Sequence, residues 1–286
     1  MPKRDSTVRG REFGYGVQAV VDATGLPARQ IAEKLDWHES KLSSAINGRG
    51  GVTHIEVALL LGICQASPAE QTHLLSLYPA TEEKGWWQQH GKSSPILLRT
   101  VTENLKVAKA LVGVQTHVIP MLLQTADYMS AVLMASPTVP ASEIKDRVRA
   151  QLAMQEAVRQ HQVNCIFYVH ESALHLEVGG TEVLAGQVFH LFLMLASPNI
   201  SIRIVPSSVG AHAGLAGPFT SLTFERYAPL VWVETANSSL FVEHKEAVAG
   251  YVSIVGALES ISLDAAESKA LLVRLHEKLD PSGRRN

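Results

Sequence analysis

The chain has 286 residues, 46% of them hydrophobic and 18% charged, with a net charge of −2. That composition excludes a disordered chain, and two cysteines, Cys64 and Cys165, exclude a disulfide framework and fit a reducing cytosol. The charge is uneven: residues 1–50 hold eight Lys/Arg against six Asp/Glu, whereas residues 51–286 hold seventeen against twenty-one. Only the N-terminal part is therefore suited to phosphates.

In chain order, Arg9 to Ala23 reads as a first helix with Val17, Val20 and Val21 at helical spacing, ended by Gly25. Pro27 opens a second helix with Ile31, Ala32 and Leu35 inward. A tight turn leads to a third helix, Glu39 to Asn47, stopped by Gly48. Thr53 to Ile63 is a fourth, with Ile55, Leu59 and Leu60 expected inward, and Ser67-Pro68 opens a fifth through Leu77. Together they make one all-α bundle. Two short helices joined by a tight turn place the second in a DNA major groove.

Residues 79–97 read as a linker, with Trp86-Trp87 expected to pin it to one domain because their area is costly to expose. Beyond it, Leu98 to Val114, Pro120 to Leu133 and Glu143 to Gln160 read as helices, the last with Ile144, Val148 and Leu152 on one face. The period then changes. Asn164–His170, Ser201–Val205, Phe219–Glu225 and Leu230–Glu234 read as strands, with a helix at Thr181–Ala196 and a turn at Asn237-Ser238. Asp264 and Glu267 form a capping pair for a closing helix. The richest apolar run, Val188 to Ala196, interrupted by His190, is far shorter than the roughly twenty residues that span a bilayer, and the first residues lack a signal-peptide core. The fold class is α+β: an N-terminal all-α helix-turn-helix bundle (1–78), a linker (79–97) and a mixed α/β domain with a small sheet (98–286).

Over nearly its whole length the chain resembles a known family. The N-terminal part is similar to Xre-type helix-turn-helix regulators. The remainder resembles the C-terminal domain, of poorly defined biochemistry, of WhiJ-like regulators of high-GC Gram-positive bacteria. The resemblance rests on Gly85-Trp86-Trp87, Ile119-Pro120-Met121-Leu122-Leu123-Gln124-Thr125 with Asp127-Tyr128, Arg147 to Glu156, Glu171-Ser172-Ala173-Leu174, Gly179-Gly180, Ile204-Val205-Pro206, Gly210 to Gly214 with Gly217-Pro218-Phe219, and Val233-Glu234-Thr235. It departs from the family pattern at Met121, where Gly is usual, and at Ala150 and Met154, where Arg is usual. In the helix-turn-helix, Ala28 replaces a phosphate-contacting Gln, Asp36 a turn Gly, Ser44 a DNA-reaching Arg and Ile46 a Glu. The resemblance implies a cytoplasmic transcriptional regulator, tied to development or secondary metabolism and encoded beside a small acidic partner protein.

Ser40, Lys41, Ser43, Ser44 and Asn47 fall on the outward side of the third helix, where Ser and Asn hydrogen-bond base edges and Lys reaches guanine or phosphate. Arg29 and Arg49, with Arg9 and Arg11, are phosphate candidates. Gln124, Thr125 and Tyr128, and His212 in the Gly-rich loop Pro206–Pro218, are candidates for a ligand or partner. His170 and His175 match no common zinc spacing, and no Gly-x-Ser-x-Gly supports a serine nucleophile. Neither a metal, a cofactor nor a catalytic residue is expected. The partner is double-stranded DNA, bound by a homodimer because one recognition helix covers few base pairs, and no membrane is involved. The competing expectation is a repurposed helix-turn-helix protein whose C-terminal domain binds or transforms a small molecule in a biosynthetic pathway.

Overall fold

The computed structural model describes residues 6–89, 95–236 and 238–279. The chain folds as two compact units, Met1–Trp86 with Phe241–His244, and Trp87–Leu240 with Lys245–Asn286.

The first unit is a bundle of α1 (Val8–Ala23), α2 (Ala28–Lys34), α3 (Glu39–Ile46), α4 (His54–Ile63) and α5 (Pro68–Leu77). Its core joins Phe13, Val17, Ile31, Leu42, Leu60 and Leu74. Two glycines decide how α1 packs: a Cβ on Gly10 would stand 2.7 Å from the Gly48 carbonyl oxygen, and one on Gly14 2.8 Å from the Gly48 nitrogen. The bare side of α1 therefore lets the end of α3 approach backbone to backbone. Thr53 and Glu56 close a reciprocal capping box on α4. Ile55 and Leu59, expected inward, are instead 73% and 56% exposed, and Val57, Leu60 and Leu61 take the core positions. The hydrophobicity of α4 runs almost all round, so periodicity alone could not choose the buried face.

Two basic residues expected at phosphates belong to the structure of this unit. Arg11 is buried, donates to the Ser6 carbonyl at 2.7 Å and lies 4.0 Å from Glu243. Arg9 pairs with Glu83 at 3.4 Å and stacks over Trp86 at 5.2 Å. Trp86 also packs on Phe241, whereas Trp87 is 63% exposed; only the first tryptophan is pinned. Glu243 accepts the Val8 and Gly85 amides at 2.9 and 3.2 Å.

The second unit is built on a sheet in the order β1-β7-β6-β5-β2-β3-β4. Its strands are β1 (Trp86–Gln89), β2 (Ala108–Gln115), β3 (Asn164–His170), β4 (Ile200–Val205), β5 (Phe219–Phe224), β6 (Leu230–Glu234) and β7 (Ser238–Val242). The α+β class holds, but the sheet has seven strands rather than a small set. Four strands fall at or within a residue of the positions read from alternation. The surprise is β2, which occupies the second half of the helix expected over 98–114. The helix α6 (Pro95–Val107) stops at Val107, and the apolar run Leu111–Val114 pairs on both sides, parallel to β3 and antiparallel to β5. A strand buried on both faces shows a continuous apolar run that a helix shares.

The segment read as a linker carries β1 and the start of α6, and its residues 90–94 lie outside the described residues, as does Asn237 of the expected turn. The helix expected from Pro120 begins later. Pro120 precedes a single 3-10 turn, Met121–Leu123, and α7 (Ala126–Met134) starts after Thr125. Three glutamines hold this non-helical stretch: Gln124 donates to the Ile119 carbonyl at 2.7 Å, Gln155 to those of Met121 and Gln124 at 2.9 Å each, and Gln187 to that of Leu123 at 2.8 Å. These side chains replace the helical bonds the backbone forgoes. The unit is completed by α8 (Ile144–Gln160), α9 (Thr181–Met194), α10 (Lys245–Ile261) and α11 (Ala265–Leu279). Asp264 and Glu267 cap α11 reciprocally, each accepting the other's amide at 2.8–2.9 Å. Among the described residues no single helix is long and apolar enough to cross a membrane.

Candidate functional site

In the first unit, α2 and α3 are joined by Leu35–His38, with Asp36 in the left-handed region at φ 55°. That is why a glycine suits this turn. Ile31 and Ala32 of α2 and Leu42 and Ala45 of α3 are buried, which turns the other side of α3 to solvent. Ser40, Ser43 and Asn47 are exposed there, and Ser44 is half-buried. Ser40 Oγ lies 2.8 Å from His38 Nδ1 at the helix start, and Asn47 Nδ2 donates back to the Ser43 carbonyl at 2.7 Å.

The cations of this face are not equivalent. Lys41 Nζ sits 2.5 Å from Glu56 Oε1 and 4.9 Å from the Trp37 ring centroid. The hydrogen bond from Lys41 and the Thr53 amide hold the Glu56 carboxyl below its ordinary value. Arg29 lies 3.0 Å from Glu33 and 3.7 Å from Glu39. Arg49 is exposed, with no ion pair among the described residues. Carboxylates thus occupy two of the three cations expected at DNA on this face, Lys41 and Arg29, and the pairings of Lys41 with Glu56 and of Arg29 with Glu39 run between elements, where no local sequence pattern reveals them.

In the second unit, β2, β3, β4 and β6 run in the same direction, so their C-terminal ends share one edge. Open α/β sheets place ligands at that edge. It collects Gln115 from β2, His170 from β3 and Glu234 from β6. His170 stacks on His212 with centroids 5.2 Å apart, which places the glycine-rich loop at the same edge. Burial and then His212 hold His170 below the ordinary imidazole value. Ser172 donates its amide to His170 Nδ1 at 3.2 Å, a helix-capping contact.

Thr125 and Tyr128 are not available to a ligand in the way expected. Thr125 caps α7 and donates its amide to Gln187 Oε1 at 2.7 Å, and Tyr128 is fully buried, accepting the Ile119 amide at 3.4 Å. Gln124 is also buried and braced, though it lines a cavity of about 270 Å³.

That cavity and a neighbouring one of about 200 Å³ meet at Gln115, Val118, Met121 and Glu234. The smaller is floored by Phe167, Phe219 and Trp232. Gly113 contributes no side chain, and a Cβ there would stand 2.8 Å from the Phe167 ring. Glu234 is exposed at the mouth of the cleft, while the protein packed around its carboxyl pushes that group up to about 7. A third cavity, of about 390 Å³, lies between α8 and α9 and exposes Leu152, which shares the apolar face of α8 with Ile144 and Val148.

The domain of unknown function DUF5753 matches residues 99–274. The chain belongs to the DUF5753 family. Comparison with curated proteins gives no match. The matched DUF5753 segment holds the Gln115–Glu234 cleft and the glutamine-braced turn. Sequence reasoning missed Gln115, Gln151 and Glu234; the signal was positional, two polar residues closing apolar strands. Met154, where the resemblance leads one to expect Arg, is wholly buried and belongs to the core.

Proposed function

We propose that this DUF5753 protein is a cytosolic DNA-binding transcriptional regulator, with α3 as the reading helix and the DUF5753 domain as the sensor of a small ligand or a small acidic partner protein. The observation that carries the reading is the exposed row Ser40, Ser43 and Asn47 on a helix whose other face is locked in a five-helix core, with the free guanidinium of Arg49 just beyond its end. Serine and asparagine recognise base edges, and arginine anchors the phosphate backbone. One such helix spans few base pairs, so the binding species is a homodimer on a two-fold site. A sensed molecule shifts DNA affinity by the difference in its own affinity for two conformations.

The test is a titration of the full chain against duplex DNA from upstream of its own gene, beside a scrambled duplex, at several salt concentrations. Preference for the native duplex supports the reading, and Arg49→Ala lowers the salt slope by about one. Equal binding to both duplexes overturns it. The second reading, a repurposed helix-turn-helix protein acting on a small molecule, is favoured by the ion pairs that occupy Lys41 and Arg29.

A further inference from the structure

The walls of the Gln115–Glu234 cleft are unequal in chemistry. Among the described residues, Glu234 is the only charged one lining the smaller limb. Its carboxylate has no ion pair or hydrogen bond among the described residues. In the larger limb Gln151 Oε1 is buried and without a hydrogen-bond partner. A carboxylate oxygen and a carboxamide oxygen are both acceptors. The cation in that limb, Arg147, is committed: its Nε and a terminal nitrogen donate to one Glu143 oxygen at 3.2 and 2.9 Å. The remaining lining of the smaller limb is carbon-rich, with three aromatic rings.

An anionic ligand would bring its charge against Glu234. A purely apolar one would leave a carboxyl and a carboxamide oxygen buried without donors, which is costly. A ligand carrying an ammonium pairs with Glu234 and gains from the aromatic rings that line the same limb.

We infer that the cleft at the C-terminal ends of β2 and β6 is a binding site for a small organic ammonium, with Glu234 as its counter-ion and Phe167, Phe219 and Trp232 enclosing its carbon portion. A cavity of about 200 Å³ suits a one-ring amine rather than a large ligand. The inference deepens the sensing role given to this domain, and a direct binding measurement separates its failure from failure of the DNA reading. Charge in the cleft comes from Glu234 and from Arg147, which Glu143 neutralises. An ammonium lowers the proton affinity of Glu234, so binding expels a proton and tightens as pH rises through about 7.

The experiment is isothermal titration of the full chain with benzylamine, benzyl alcohol and benzoate at pH 6 and pH 8, in buffers of differing ionisation enthalpy. Benzylamine is expected to bind about tenfold more tightly at pH 8 than at pH 6, with about one proton released on binding at pH 6 and almost none at pH 8. The alcohol and the acid are expected to bind at least about tenfold more weakly than the amine, and Glu234→Gln to remove most of the difference. Should Glu234→Gln not fold, proton release and the amine–alcohol difference in the native chain decide. Benzoate binding as well as benzylamine, pH-independent amine binding without proton release, or no amine binding at millimolar concentration each overturns the inference.

Discussion

Lys41 Nζ lies 2.5 Å from Glu56 Oε1, tying the exposed face of α3 to the capping box of α4. One carboxylate thus serves two elements: its other oxygen accepts the Thr53 amide at 2.8 Å. The cation expected at DNA therefore already has an anionic partner, and phosphate must compete with Glu56 for it.

Glu56→Gln should release Lys41 while leaving a residue that still caps α4. The expected outcome is tighter binding to duplex DNA and a salt slope steeper by about one, with stability little changed because the pair is partly exposed. Fluorescence anisotropy at three salt concentrations measures it. Unchanged affinity and slope would take Lys41 out of the interface. By the same logic Lys41→Ala alone costs less DNA affinity than Arg49→Ala, whose side chain has no ion pair among the described residues.

Asp36 stands in the left-handed region at φ 55°, where a Cβ is strained. Asp36→Gly should stabilise the chain by about 0.5–1 kcal/mol, the relief of strain being partly offset by glycine's greater freedom when unfolded. Urea denaturation of the full chain reads the change as a raised midpoint. A lowered midpoint would mean that the Asp36 carboxylate contributes more than the strain costs.

Glu243 offers a larger effect. It accepts the Val8 and Gly85 amides and lies 4.0 Å from the buried Arg11. Glu243→Ala strands the buried Val8 amide and the half-buried Gly85 amide and removes a neutralising charge, at an expected cost of about 2–5 kcal/mol. Glu243→Gln keeps an acceptor and should cost less. Equal, small losses in both variants would show that these bonds add nothing to the fold.

What could be read from the chain follows from what fixes each feature. The strand Leu230–Glu234 and the cap formed by Asp264 and Glu267 are specified locally, and both were visible in the sequence. The strand at Ala108–Gln115 was not, because its partners come from residues 164 and 219 onward. The non-helical turn after Pro120 depends on Gln155 and Gln187, more than thirty and sixty residues away. The docking of Glu243 beside Val8 spans 235 positions, and no local pattern encodes it. The cleft was hidden for the same reason: Gln115 and Glu234 come together only when β2 and β6 align across β5.

Two groups on this sheet edge give stability opposite slopes with pH. Burial raises the Glu234 carboxyl from the ordinary carboxylate range to about 7. The folded state then holds a proton that the unfolded chain has released, so its contribution is complete in acid and is lost as pH rises through about 7. His170 works the other way: burial and His212 lower it, so its contribution is present above the ordinary imidazole value and is lost as pH falls through the lowered one. Glu234→Gln should therefore flatten the decline in melting temperature towards neutral pH, and His170→Asn should flatten the decline on the acid side. Melting curves from pH 5 to pH 8 for the native chain and both variants test the pair. A native profile unchanged by Glu234→Gln would mean that water reaches the Glu234 carboxyl freely, and the cleft would lose the enclosed acceptor on which ammonium recognition depends.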